Sequence, residues 1–153
     1  MTRAARRRVD VVIPTIGRES LRTLLEALAP QADAFDGRIV LVDDRRDAST
    51  PLPGVDGDLR DRIDVVQSRA AGPAAARNLG WRAASAEWIA FLDDDVEPPE
   101  GWALGLDEDL DALPADVAAS QGRIHVPLPT DRAPTDWPAT RRQGRRRTPR
   151  RSR

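Results

Sequence analysis

The chain has 153 residues, carries 24 basic and 25 acidic side chains for a net charge of −1, and contains neither cysteine nor lysine. Without thiols it can build no disulfide framework, thiolate metal site or zinc finger, and without lysine it can use no Schiff base and no P-loop phosphate contact. The length suits one domain with a real core, and the first apolar run, Val11 to Ile13 before Pro14, is far too short for a secretory core or a membrane span.

The near-zero net charge hides a segregation. Arg3, Arg6, Arg7 and Arg8 precede the first acid, eight arginines follow Thr140, and residues 9 to 140 hold 12 arginines against all 25 acids. A folded part that acidic argues against nucleic-acid binding and invites a cation. The exclusive use of arginine, with abundant alanine, reads as a bias of base composition.

In chain order, Val9 to Ile13 predicts a strand, and Glu19 to Leu28 an amphipathic helix with Leu21, Leu24, Leu25 and Leu28 at helical spacing. Arg38 to Val42 predicts the second strand. The Asp-, Pro- and Gly-rich stretch from Asp43 to Arg62 reads as an irregular connection with room for a short helix, and Ile63 to Val66 as a third strand. Gly72 and Pro73 open a helix through Ala84, Trp88 to Leu92 predicts a fourth strand, and a helix is expected from about Pro99 to Leu113. Val117 to Val126, interrupted by Gly122, is expected to add a strand. The alternation predicts an α/β fold: a doubly wound, mostly parallel sheet with helices on both faces. Residues 1–8 read as a basic extension, 9–126 as the domain, and 127–153 as a proline- and arginine-rich tail expected to be disordered.

In open α/β sheets ligands collect at the carboxyl ends of the strands. Pro14 and Thr15 end the first strand, Asp43 and Asp44 the second, and Asp93, Asp94 and Asp95 the fourth, so one edge is expected to gather five carboxylates. Carboxylate oxygens are hard ligands for Mg2+ or Mn2+, which combine one or two of them with substrate phosphates. Asp95 would ligate the metal and Asp94 support it or touch ribose. The same triplet also fits a solvated turn capping the next helix. Asp43 and Asp44 suit base or ribose donors, and Arg77 suits a phosphate, or is an ordinary helix arginine. His125, the lone histidine, reads as packed or partly exposed, and Trp81, Trp88 and Trp102 as core or edge-of-core residues.

The segments VDVVIPTIGR, RIVLVDDRR, AAGPAAARNLG and WIAFLDDDVEPPEGW, in this order and spacing, resemble the family 2 glycosyltransferases of the GT-A fold, over roughly Val9 to Val126. The resemblance implies a nucleotide-diphosphate-sugar donor, a divalent cation and inverting transfer of a glycosyl group to an acceptor. It implies that Pro14 and Thr15 line the nucleotide pocket, that Asp44 contacts the base with Asp43 beside it, and that Ala76, Arg77 and Asn78 lie by the nucleotide and diphosphate. Asp93, Asp94 and Asp95 match a DXD-like motif, with Asp95 and Asp93 as metal ligands. The chain departs from the family in reading Thr15, Ile16, Gly17 where an aromatic residue and Asn are usual, and in lacking Gly-Ser after the second strand.

The family's acceptor half supplies a general base, and no counterpart is expected after Val126, where Asp131 and Asp136 sit among prolines. The switch to arginine repeats leads to the expectation of a truncated or out-of-frame ending, with a catalytically inactive nucleotide-sugar-binding remnant as the alternative. A phosphoacceptor receiver would need a lysine, and a sugar nucleotidyltransferase a glycine-rich basic loop after the first strand. Salt-sensitive nucleic-acid binding by Arg141 to Arg153 is a side reading. The expected location is the cytoplasm, with peripheral association at the inner face of the membrane.

Overall fold

The computed structural model describes residues 7–127. Four strands, β1 (Val9–Thr15), β2 (Ile39–Asp43), β3 (Ile63–Gln67) and β4 (Trp88–Phe91), form one sheet in the order β3-β2-β1-β4, every neighbouring pair parallel. Helix α1 (Ser20–Leu28) and a 3-10 turn (Ala29–Ala34) join β1 to β2. Helix α2 (Pro73–Ala83) joins β3 to β4, and α3 (Trp102–Asp111) follows β4.

The strand alternation sorts residues onto the two faces. Val11, Ile13, Ile39 and Leu41 pack against Leu21, Leu24, Leu25 and Leu28 of α1, with Leu52 and Leu59 of the β2–β3 connection and Ala103 of α3 in the same cluster. Val12, Val40 and Val42 face the other way, onto Ala76 of α2. Each buried leucine of α1 contributes about 1.5–3 kcal/mol relative to exposure, so this stripe anchors its face of the sheet. The chain moves outward from β1 to β2 to β3 with its connections on the α1 face, then reverses across the sheet to β4 with α2 on the opposite face. Right-handed crossovers require that change of face when the direction reverses. The reversal makes the gap between β1 and β4 the topological switch point, where such sheets take their ligands.

Helix α2 lies close against the sheet because of Gly80. A Cβ at that position would stand 2.3 Å from Val12 Cγ1 and 2.8 Å from Val42 Cγ2. Trp81, expected in or beside the core, is instead 55% exposed, because Ala76 and Gly80 carry the sheet-facing stripe and residue 81 falls off it. Trp102 is partly buried against the α1-side core.

The compact unit ends at Asp116. Residues 117–127, taken by themselves, form neither helix nor strand, so the strand expected over Val117 to Val126 is not made. Ile124 and Val126 stand 70% and 71% exposed. Two apolar residues after Gly122, with no paired neighbour, give a strand nothing to bury against. His125 is exposed. At the other end Arg7, expected in a basic extension, donates to Asp111 at 2.9 Å and Glu87 at 3.2 Å. The tail from residue 128, with Asp131, Asp136, Trp137 and the arginine run, lies outside the described residues.

Candidate functional site

Register sets the site. Thr15 pairs with Asp43, and Asp43 with Gln67, so β1, β2 and β3 end level with one another. Strand β4 pairs with β1 only as far as Val12 opposite Phe91, followed by a last hydrogen bond from the Leu92 amide to the Val12 carbonyl. The amides of Val9 and Val11 donate toward β2, so the even-numbered positions of β1 face β4, and Pro14 has no N–H to continue that ladder. The segment after β4 is therefore released into a turn. Three residues beyond the last pair on each strand are Asp94 and Thr15, and Thr15 Oγ1 donates to Asp94 Oδ2 at 2.6 Å.

Around that bond the strand ends are tied together. The Gly17 amide donates to Thr15 Oγ1 at 2.9 Å, the Asp44 amide donates to the Thr15 carbonyl at 2.8 Å, and Arg18 lies 3.7 Å from Asp94. Asp94 is buried, whereas Asp93 and Asp95 are exposed. Arg77 of α2 reaches across to pair with Asp93. Asp43, only 2% exposed, accepts Arg45 Nε and NH2 at 2.8 Å each and the Arg45 amide at 3.1 Å. The Arg45 guanidinium holds the Asp43 pKa below its ordinary value against the opposing effect of burial. Asp44 accepts Ser68 Oγ and the amides of Ala71 at 2.8 Å and Gly72 at 3.0 Å. That carboxylate folds the turn before α2 around itself, with Arg69 and Ala70 both in the left-handed region at φ 56°.

Pro14, Thr15, Asp43, Asp44, Arg77, Asp93, Asp94 and Asp95 all fall at the carboxyl edge of β1, β2 and β4 or on the helix beside it. The five expected carboxylates do reach that edge, but they do not pool into one cluster. Among the described residues no three Asp, Glu or His side chains lie close enough to hold a metal ion. The reason is local neutralisation: Arg45 takes Asp43, Arg77 takes Asp93, Thr15 and Arg18 take Asp94, and backbone amides take Asp44. Asp95 alone of the five makes no ion pair or side-chain hydrogen bond among the described residues. A Mg2+ or Mn2+ ion needs about six oxygens and commonly draws them from one or two carboxylates, substrate phosphates and water. Of the other motif residues, Ala76 is buried under the sheet and Asn78 is exposed.

Gln31 and Arg62 have roles that the sequence did not disclose. The Gln31 amide donates to the Ala27 and Pro99 carbonyls at 3.0 Å and accepts from the Ala103 amide at 3.1 Å, fixing the loop that follows the Asp triplet onto the start of α3. Arg62 donates to the carbonyls of Ala32, Phe35 and Gly37 and stacks over the Phe35 ring at 4.7 Å. Apart from Ala27, their partners lie 25 or more residues away in sequence, and no local spacing signals them.

With this geometry in place, the description "Glycosyl transferase family 2" matches residues 10–152 of the chain. The chain belongs to glycosyl transferase family 2. It is 36% identical over 101 residues to the pre-mycofactocin glycosyltransferases of two Mycobacterium tuberculosis strains, CDC 1551 / Oshkosh and ATCC 25618 / H37Rv. The matched region covers 65% of this chain and 20% of those proteins, so the chain spans about a fifth of their length. The fold is similar to the crystal structure of S. aureus TarS 1-349, with a TM-score of 0.55 and 25% identity over 68% of this chain and 32% of that one. The family 2 sheet of this chain is accordingly a GT-A-like, parallel α/β sheet.

Proposed function

We propose that this family 2 chain binds the nucleotide-diphosphate moiety of a sugar donor at the carboxyl ends of β1, β2 and β4, and serves inverting transfer of the glycosyl group to an acceptor. The observation that carries the reading is the Thr15–Asp94 bond of 2.6 Å, which joins the two strand ends at the switch point and leaves Asp93 and Asp95 exposed on either side of it. Thr15 and Asp44 bind the base and ribose side, with Pro14 and Asp43 behind them. Arg77, on the first turns of α2, moves from Asp93 to the diphosphate, since a guanidinium matches phosphate oxygens bidentately. Asp95 and Asp93 hold Mg2+ or Mn2+, which neutralises charge on the departing diphosphate when bound. Asp94 stays with Thr15 and Arg18 and keeps the turn in place.

Inversion also needs a base that deprotonates the acceptor hydroxyl on the side opposite the leaving group. We assign that role to none of the described residues. The acceptor is a glycan, a lipid or a small molecule. The same reading places the chain in the cytoplasm with peripheral association at the inner membrane face. Among the described residues no helix is long and apolar enough to cross a membrane.

Calorimetric titration with UDP and GDP, with and without Mn2+, tests the proposal. Metal-dependent binding by the wild-type chain, weakened at least tenfold in Asp95→Ala, is the expected result, since loss of one charged ligand is worth about 1.4 kcal/mol or more. Metal-independent binding, or binding untouched by Asp95→Ala, refutes the assignment of the cation.

A further inference from the structure

We infer that Arg45 reads the edge of the nucleobase, as a donor paired with the acceptor of Asp44; this rests on the nucleotide-binding reading above. An arginine has five N–H donors in one rigid plane. In Arg45, Nε donates to Asp43 Oδ1 at 2.8 Å, NH2 donates to Asp43 Oδ2 and to the Thr50 carbonyl at 2.8 Å each, and NH1 donates to Thr50 Oγ1 at 3.1 Å. These bonds use four of the five donors. The fifth, on NH1, has no partner among the described residues.

Its position is fixed from both sides. The side chain is 16% exposed and clamped on a carboxylate that is 2% exposed, so it does not swing freely. It also lies over the loop that follows β1. A Cβ on Gly17 would come within 2.9 Å of Arg45 Cδ and 3.5 Å of NH1, and Gly17 itself sits at φ +77°, so no other residue closes that approach without strain. The NH1 nitrogen that carries the free donor therefore lies beside Gly17, in the loop that follows the strand lining the proposed pocket.

The neighbouring Asp44 supplies the complement. A carboxylate accepts about four hydrogen bonds, and Asp44 receives Ser68 Oγ, the Ala71 amide and the Gly72 amide, which leaves one acceptor position. One unused donor and one unused acceptor on adjacent residues match a base edge that sets a carbonyl beside an N–H, as in the imide of uracil or the O6 and N1–H edge of guanine. Thr50 acts behind Arg45 as a positioning residue, taking two of its donors.

The test uses the full chain, UDP, and ribose 5-diphosphate, which keeps the diphosphate and sugar and lacks the base. With Mn2+ present, the wild type should bind UDP more tightly than ribose 5-diphosphate. Arg45→Lys keeps a cation beside Asp43 and removes the planar fork. It should weaken UDP by about tenfold, the scale of one specific base-edge contact, and leave ribose 5-diphosphate unchanged. Independently of any variant, the guanidinium resonances of Arg45 in nitrogen-detected NMR should shift on adding UDP and stay in place on adding ribose 5-diphosphate. Equal weakening of both ligands, UDP affinity unaltered in Arg45→Lys, or a guanidinium signal that ignores UDP overturns the inference and leaves the nucleotide site standing. A folded wild-type chain that binds neither ligand overturns the nucleotide reading and this inference together.

Discussion

Asp10 is a carboxylate at 2% exposure, and it stays ionised there by hydrogen bonding. Burial pushes its pKa up, but the amides of Arg38 at 2.8 Å, Ser85 at 2.7 Å and Ala86 at 2.9 Å, with help from the charge of Arg8, outweigh burial and leave it below the ordinary 3.8. A depressed folded-state pKa contributes stability that is present above the unfolded value and lost as pH falls through the folded one. Asp43 has the same sign through Arg45. We therefore expect stability to fall as the pH drops below 3.8, the ordinary value for both groups. Asp10→Asn turns its amide nitrogen onto donors and should cost about 3 kcal/mol at neutral pH. It should also flatten the acid limb of a urea-denaturation profile, and an unchanged limb would assign the acid lability elsewhere. The sequence made the carboxylates at the strand ends visible but not their partners. Arg45 on Asp43 and Arg77 on Asp93 depend on strand register and helix placement, which one-dimensional spacing does not contain.

At the scale of elements, α2 shows how packing serves the site. Gly80 lets the helix sit against Val12 and Val42, and that depth is what carries Arg77 to Asp93. Gly80→Ala improves helix propensity by about 1 kcal/mol but drives a methyl into two valines, and overpacking of this kind costs about 1–3 kcal/mol. The expected outcome is a lower thermal midpoint together with weaker nucleotide binding. A midpoint that rises would show that α2 has slack over the sheet. Helix α1 and strands β1 and β2 were legible from their period and apolar runs, such as Leu21, Leu24, Leu25 and Leu28 on α1, and α2 from the Gly72–Pro73 start signal. The 3-10 turn at Ala29–Ala34 was not, since its stability comes from Gln31 and Arg62 bonding to distant backbone. The strand expected over Val117 to Val126 failed for the reverse reason: it had β-forming residues and no neighbour to pair with.

Within the compact unit, the order β3-β2-β1-β4 puts the eight candidate site residues at one edge or on the helix beside it, because the chain reverses between β3 and β4 and both β1 and β4 end there. That placement was readable from alternating strands and helices. The internal neutralisation of the edge was not: among the described residues it leaves Asp95 as the one exposed carboxylate of the five without an ion pair or side-chain hydrogen bond, and in the proposed function a cation there draws its other oxygens from Asp93, the diphosphate and water. Binding of cation and diphosphate should accordingly be coupled. The most direct measurement is an amide NMR map of the chain titrated with UDP in the presence of Mg2+. Shifts are expected at residues 15–18, 44–45, 71–77 and 93–95, with Mg2+ alone producing little change. Shifts centred on the β3 edge or on α3, or none at a UDP concentration that saturates by calorimetry, would contradict the proposed site.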